Sequence, residues 1–324
     1  MKKMKVMKKS LAVFLAVMMC VTFQITALAQ ESTEMAGLDG IPLSSIAFVS
    51  GQGEMVNALN EKKPVIILLN DFTISALTID YDVSIAASVE TTVTNREGHH
   101  FNVEGDEITI TFQNVKLDGG SIGVDAGIKS TANKLTIIDG FITNSNYGVY
   151  AVGDVVIDGG TYSNCRQAIY SLKHVELQAG TIRDNNSYIG GAAVYALGGF
   201  SMNGGTIVNN YSGYRSPCQG GAVYAENSFN MSGGVITGNS VTGNGGGVYF
   251  KGGIIFVTGG SIAYNRSSEY GGGIFADTAI ITVNGGSVVR NHADRDGGGV
   301  CAQSCKVPML VGVAENTPND FMYK

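Results

Sequence analysis

Residues 233–303 read GGVITGNSVTGNGGGVYFKGGIIFVTGGSIAYNRSSEYGGGIFADTAIITVNGGSVVRNHADRDGGGVCAQ. One phrase returns three times: GGVITGN then GGGVYFK, GGSIAYN then GGGIFAD, GGSVVRN then GGGVCAQ. The period is 26 residues, from Gly259 to Gly285 and from Gly247 through Gly273 to Gly299. A fixed repeat of this length marks a solenoid, in which each repeat contacts only its neighbours. Within one period, residues 247–250 (GVYF), 254–257 (IIFV) and 261–264 (SIAY) are β-branched or aromatic runs bounded by turn residues. Three short strands with tight corners describe one coil of a parallel β-helix, each coil stacked on the last at about 4.8 Å.

Working outward from this stretch, like residues fall into columns. Val149, Ile169, Val194, Val223, Val248, Ile274 and Val300 form the first. A second reads Leu117, Ile138, Ile157, Leu177, Met202, Met231, Val257 and Val283, stepping by 21, 19, 20, 25, 29, 26 and 26 residues. Phe200, Phe229, Ile255 and Ile281 belong to a third; Ile182, Ile207, Ile236, Ile262 and Val288 to a fourth. Such columns point inward and stack on their like, with period-2 alternation placing the residues between them outside. Asn185, Asn210, Asn239, Asn265 and Asn291 form a fifth column, where amides at a corner can bond from rung to rung.

These phrases carry a resemblance. GGxIxxN and GGG[VI]Y are similar to the repeats of bacterial surface proteins with right-handed parallel β-helices, among them the polymorphic outer-membrane proteins of chlamydiae, and the fold resembles that of pectate lyases. The clear repeat covers residues 190–303 and a weaker version reaches back to about Val115. The resemblance implies an all-β, single-stranded, right-handed parallel β-helix, secreted or on the cell surface and often adhesive.

The chain has 324 residues. Lys2, Lys3, Lys5, Lys8 and Lys9 precede an apolar run from Leu11 to Ile25 that ends in Ala27-Leu28-Ala29, the pattern of a secretory signal peptide over residues 1–29. Residues 30–45 read as a flexible leader and 46–324 as the β-helix domain. Removing the signal takes five lysines and no acid, leaving 16 Lys+Arg against 27 Asp+Glu and a formal charge of −11. That balance argues against nucleic acid and anionic membrane as partners. No other stretch is long and apolar enough to span a membrane. The expectation is a soluble, exported, bacterial monomer.

Both mouths of the coil need caps. Residues 54–60 (EMVNALN) read as a short helix over the N-terminal mouth, with Met55, Val56 and Leu59 on one face; residues 65–69 then open the first strand. Residues 321–323 (FMY) read as a last partial turn. Cys301 and Cys305 are close enough in sequence to pair around a turn.

Candidate chemistry falls in four places. Extra residues in the longer coils fall at one corner, between the ladder Asn and the next Gly pair, and should stack into a shelf carrying Tyr188, Tyr211, Tyr214, Arg215, Arg266, Glu269, Tyr270, His292, Asp294, Arg295 and Asp296. Aromatic rings among polar groups suit sugar binding, and insertions on one side of a solenoid commonly mark its binding face. Tyr150, Tyr170, Tyr195, Tyr224, Tyr249 and Phe275 each follow an inward residue and should make an outward aromatic stripe, either a sheet-stabilising stack or a binding platform. Glu226, Lys251 and Asp277 lie two residues further on: a salt-bridged ladder, or a lyase centre with Lys251 as base. Asp118, Asp139 and Asp158, each before Gly, read as turn residues or as a row that could hold Ca²⁺; no other cofactor is indicated. A nucleophile elbow, an HExxH motif and a phosphate-binding Gly loop are absent from the sequence. Three readings follow: a non-catalytic, exported adhesin-like protein that binds a polysaccharide, cell-surface glycan or surface protein; a polysaccharide lyase or glycoside hydrolase of the same fold; and a structural stalk.

Overall fold

The computed structural model describes residues 42–95, 97–120, 125–213 and 217–324. The stretches read from sequence as a signal peptide and, nearly all of it, as a leader lie outside the described residues, as do Tyr214 and Arg215. What is described is mostly β: a parallel β-solenoid of about ten coils with one short helix near its N-terminal end.

The coil that starts at Val248 shows how glycine makes the corner. Val248–Val257 is one strand, yet its buried residues fall on even numbers at Val248 and Phe250 and on odd numbers at Ile255 and Val257. The parity changes at Gly252-Gly253, where Gly253 has φ +118°, a region that L-side chains avoid. The single strand therefore serves two faces. Ser261–Ala263 supplies the third.

Rung-to-rung pairing is parallel and in register. Val194 pairs with Val223, Val223 with Val248, Val248 with Ile274 and Ile274 with Val300. Phe200, Phe229, Ile255 and Ile281 pair in turn, as do Ile182, Ile207, Ile236, Ile262 and Val288. All of these side chains are buried in one continuous core.

The second column is right from Ile157 onward and wrong before it. Ile157 pairs with Ile137, not Ile138, and Ile137 with Ile110. Ile137 is fully buried and Ile138 half-exposed. Leu117 belongs to the third face, where it pairs with Ile142 and so joins the column of Ile182. In Leu135-Thr136-Ile137-Ile138 two isoleucines adjoin, and only the alternation set by buried Leu135 selects the inner one. Ile110, Ile137, Ile157 and Leu177 are thus 27, 20 and 20 residues apart. The early coils are not uniformly short.

At the N-terminal mouth a strand precedes the helix. β1 (Ile46–Val49) pairs in parallel with β2 (Val65–Leu68), so residues 65–69 are not the first strand. Between them α1 (Gln52–Asn60) lies over the mouth. Glu54 reaches back to accept hydrogen bonds from the backbone N–H and hydroxyl of Ser50 at 2.6 and 2.7 Å, tying down the helix start. The buried face is Met55, Ala58 and Leu59; Val56 is only half-buried. At the other end Phe321–Tyr323 pairs with Val300–Ala302, the partial turn that the sequence suggested. All four described cysteines are free thiols, Cys301 and Cys305 included. Cys301 lies against Met322, while the Cys305 thiol turns to the carbonyl of Gln303 at 3.1 Å. No helix among the described residues is long and apolar enough to cross a membrane.

Candidate functional site

The shelf residues are more ordered than an inserted loop requires. Asn186–Ser187, Tyr211–Ser212, Ser240–Val241, Arg266–Ser267 and His292–Ala293 form a separate five-stranded parallel sheet of two-residue strands. The sequence foresaw the position of this corner sheet but not its regularity. Beneath it runs the asparagine ladder, its members Asn185 to Asn291 each about 1% exposed. Asn239 is typical. Its Nδ2 donates to the carbonyls of Ile207 and Thr237 and to Asn265 Oδ1, at 3.1, 3.0 and 2.9 Å. Its Oδ1 accepts from Asn210 N and Nδ2, both at 2.9 Å. The ladder runs from Asn185 on through Asn316, which Asp320 terminates by accepting from its backbone N–H and Nδ2 at 2.8 and 3.0 Å.

On the corner sheet, Arg266 pairs with Asp294 at 2.7 Å and Arg295 with Glu269 at 3.4 Å. His292 uses both ring nitrogens, Nε2 with Asp294 at 3.0 Å and Nδ1 with the Thr317 hydroxyl at 2.8 Å. Asp296 accepts from Gly297 N at 2.9 Å. Two cations lie near the Tyr270 ring, Arg295 at 5.6 Å and Lys324 at 3.9 Å from its centroid. Tyr188 is 40% exposed and lies under the guanidinium of Arg166 at 5.0 Å. Tyr211 is half-buried.

The aromatic stripe is a stack. Ring centroids from Tyr150 through Tyr170, Tyr195, Tyr224 and Tyr249 to Phe275 are 5.1, 5.2, 4.4, 5.4 and 5.4 Å apart, and no neighbouring pair is tilted by more than 12°. The inner rings therefore cover each other's faces, leaving edges and hydroxyls outermost. Tyr147 closes the early end edge-on, 5.4 Å from Tyr150 and 5.6 Å from Tyr170. Neither Tyr147 nor Arg166 was singled out from sequence. Arg166 stands one coil before the first inserted loop and Tyr147 two, and the register that places Arg166 beside Asn186 is the signal that would have found Arg166.

Beside the stack, Lys251 pairs with Glu226 at 3.0 Å, and the Tyr224 hydroxyl donates to the same carboxylate oxygen at 2.9 Å. Hydrogen bonding to Glu226 raises the pKa of Lys251, holding it as an ammonium. Burial, then the charges of Asp277 and Glu226, push the Tyr249 phenol up to about 12. Burial, aided by the bond to Glu226, raises Tyr224 in the same direction.

The aspartate row does not assemble. Asp118 pairs in register with Thr143, on the third face, and not with Asp139 or Asp158. Burial would raise its pKa, but Asn144, Gly120 N–H and Lys116, at 2.9, 2.8 and 3.0 Å, outweigh that and lower it. Asp139 and Asp158 do lie close; burial first, then Asp158, raises the pKa of Asp139. Asp139 lines a cleft of about 350 Å³ with Glu90, Gln113 and Phe141, away from the aromatic face. Among the described residues no three His, Cys, Asp or Glu side chains are grouped to hold a metal ion. Compared with protein-family models, with curated proteins and with solved structures, the chain matches none.

Proposed function

We propose that the protein is an exported, non-catalytic binding module that holds a glycan along the corner sheet and the adjoining tyrosine stack. The observation that carries this reading is the corner sheet itself. It raises Tyr188, Tyr211 and Tyr270, with the polar groups of Arg266, His292, Asp294 and Arg295, in one band on a single edge of an otherwise plain solenoid. Rings beside fixed hydrogen-bonding groups are what a saccharide requires: an apolar face to cover and hydroxyls to satisfy.

Support for the non-catalytic part comes from protonation. A base must be free to take a proton near neutral pH. Lys251 is held charged by Glu226, the neighbouring phenols are pushed away from ionisation, and both nitrogens of His292 are engaged. The lyase reading of the same face would need one of these groups released.

Retention on immobilised polysaccharides and a glycan array test the reading. Tyr188→Ala and Tyr270→Ala are each expected to weaken binding about tenfold, and Lys251→Ala to leave it unchanged. Silence on every glycan would end the proposal. So would release of unsaturated or reducing ends from a bound polysaccharide that stops with Lys251→Ala.

A further inference from the structure

Arg183, Arg266, Arg290 and Arg295 each meet a carboxylate at 3.4 Å or less. Arg166, half-buried one coil before the corner sheet, has no carboxylate partner among the described residues. Its guanidinium lies over the Tyr188 ring, 5.0 Å from the centroid, and its buried Nε has no acceptor. Asn146 and Asn186 occupy the same column on the rungs to either side: Arg166 N donates to Ser145 O at 3.1 Å, and Asn186 N to Cys165 O at 2.8 Å. The Oδ1 atoms of both asparagines are likewise buried and unpaired. Three orphaned polar atoms thus stand on three successive rungs at one spot. Buried polar groups without partners are unfavourable; further along this corner the ladder amides are paired, and Ser267 Oγ is the one orphan on the corner sheet's later described strands.

The surroundings favour an anion. Lys129, exposed, pairs in register with Tyr150 and adds a second positive charge. The tyrosine stack ends at Tyr150, so no ring among the described residues stacks on the side of Tyr150 that faces Lys129. Tyr147 stands between, close enough to Arg166 and to Asp125 for both charges to act on its hydroxyl. Two acids reach this region: Asp125 acts on Tyr147, and Asp118 on Cys165 beside Arg166.

We infer that Arg166 is the anchor of an oxyanion site, and that the glycan bound by this protein carries a carboxylate or sulfate group. The inference rests on the glycan reading above and adds its chemical class. A planar guanidinium fixed by a ring presents two parallel N–H donors, the geometry that carboxylate and sulfate oxygens accept. The amides of Asn146 and Asn186 rotate to add NH₂ donors from either side. Lys129 strengthens the field without fixing geometry. In a chain with a formal net charge of −6, an acidic polymer is repelled in general, so such a site both attracts it and sets its register.

The test uses the whole chain and three polymers: alginate, dextran sulfate and neutral dextran. Alginate retained above neutral dextran identifies a carboxylate ligand, and dextran sulfate retained above it a sulfate ligand; either supports the inference. Arg166→Gln, which keeps a polar side chain out to the position of Nε and removes the charge, should weaken that binding at least tenfold, with an unchanged circular dichroism spectrum. Lys129→Gln should weaken it less and flatten its salt dependence. Neutral dextran bound as tightly as the acidic polymers, or Arg166→Gln without effect, overturns the oxyanion site and leaves the glycan reading standing. No retention of any of the three, with silence on the array, removes the glycan reading itself.

Discussion

The coils before Asn185 and those after it share the same inner columns but turn their last corner differently. Val155, Val175 and Phe200 are continuous through the change, so the apolar core does not distinguish the two regions. The corner does. From Asn185 onward each coil carries an amide that bonds to the next rung and to carbonyls on an earlier one. Before it, Ser145 and Cys165 take that place and bond only to carbonyls two residues away, Thr143 at 3.3 Å and Ser163 at 3.3 Å. A corner whose side chain is satisfied locally is tied to the next rung by backbone alone. A corner threaded by amides is a fixed line along the axis, and the two-residue strands of the corner sheet hang from it. The corner sheet is built where the polar ladder is, not where the core is larger.

That contrast predicts the largest effect. Asn239→Ala strands the buried backbone N–H of Asn210 and takes a donor from the carbonyls of Ile207 and Thr237, and is expected to cost about 3–5 kcal/mol. Cys165→Ala removes one weak bond and a small volume, and should cost about 1 kcal/mol. Denaturant unfolding, with hydrogen exchange to place the loss along the stack, checks both. Equal losses would mean the ladder does not set the stability of the later coils.

Next in size is a pH effect confined to the early coils. His100 is fully buried, and its Nε2 bonds to the Val93 carbonyl at 2.9 Å. Burial holds its pKa down to about 4, against an ordinary value of 6.5. Between those values the unfolded chain binds a proton that the folded chain refuses. Stability from this residue is therefore fully present above pH 6.5 and is lost as pH falls towards 4, by about 3 kcal/mol. Acid should loosen exchange around Val93 and Phe101 first and spare the asparagine ladder. His100→Gln should flatten the slope in that window; a slope that persists would assign it to other groups.

Much of this was legible because glycine and β-branched residues repeat at fixed intervals. In the later coils Val257 and Val283, 26 residues apart, could be aligned by eye. The register slipped where repetition weakened, at Leu117 and at the adjacent pair Ile137 and Ile138, because two neighbouring apolar residues satisfy either phase of a period-2 pattern. The same slip created the row of three aspartates. Asp118, Asp139 and Asp158 share a local motif, but only the second and third share a corner. At the site, the positions of Tyr188, Tyr211 and Tyr270 were readable from where insertions fell. Arg166 was not, since its distinction is the absence of a partner, and partners are a property of the folded stack. The outward direction of the tyrosine stripe was likewise readable, while the covering of its ring faces depends on rung spacing and side-chain rotamer.

The smallest predicted effect separates two ways of holding the aromatic face together. Tyr195 and Tyr224 stack with centroids 4.4 Å apart and planes 4° apart. Beside them Lys251 and Glu226 form an ion pair at 3.0 Å, with Lys251 largely in solvent. Stacked rings lose little to water, because each shields its neighbour's face, whereas an exposed pair is screened and must immobilise a long side chain. A double-mutant cycle with Tyr195→Leu and Tyr224→Leu should therefore give a coupling of about 1 kcal/mol that is insensitive to salt. The cycle with Lys251→Ala and Glu226→Ala should give a smaller coupling that vanishes at high salt. Because the Tyr224 hydroxyl donates to Glu226, the two cycles are linked, and Tyr224→Phe separates them. It removes the hydroxyl and keeps the ring, so the stacking term should survive it. If the coupling falls with the hydroxyl, the stripe is held by its polar edge, and that edge, not the rings, would be what a ligand has to displace.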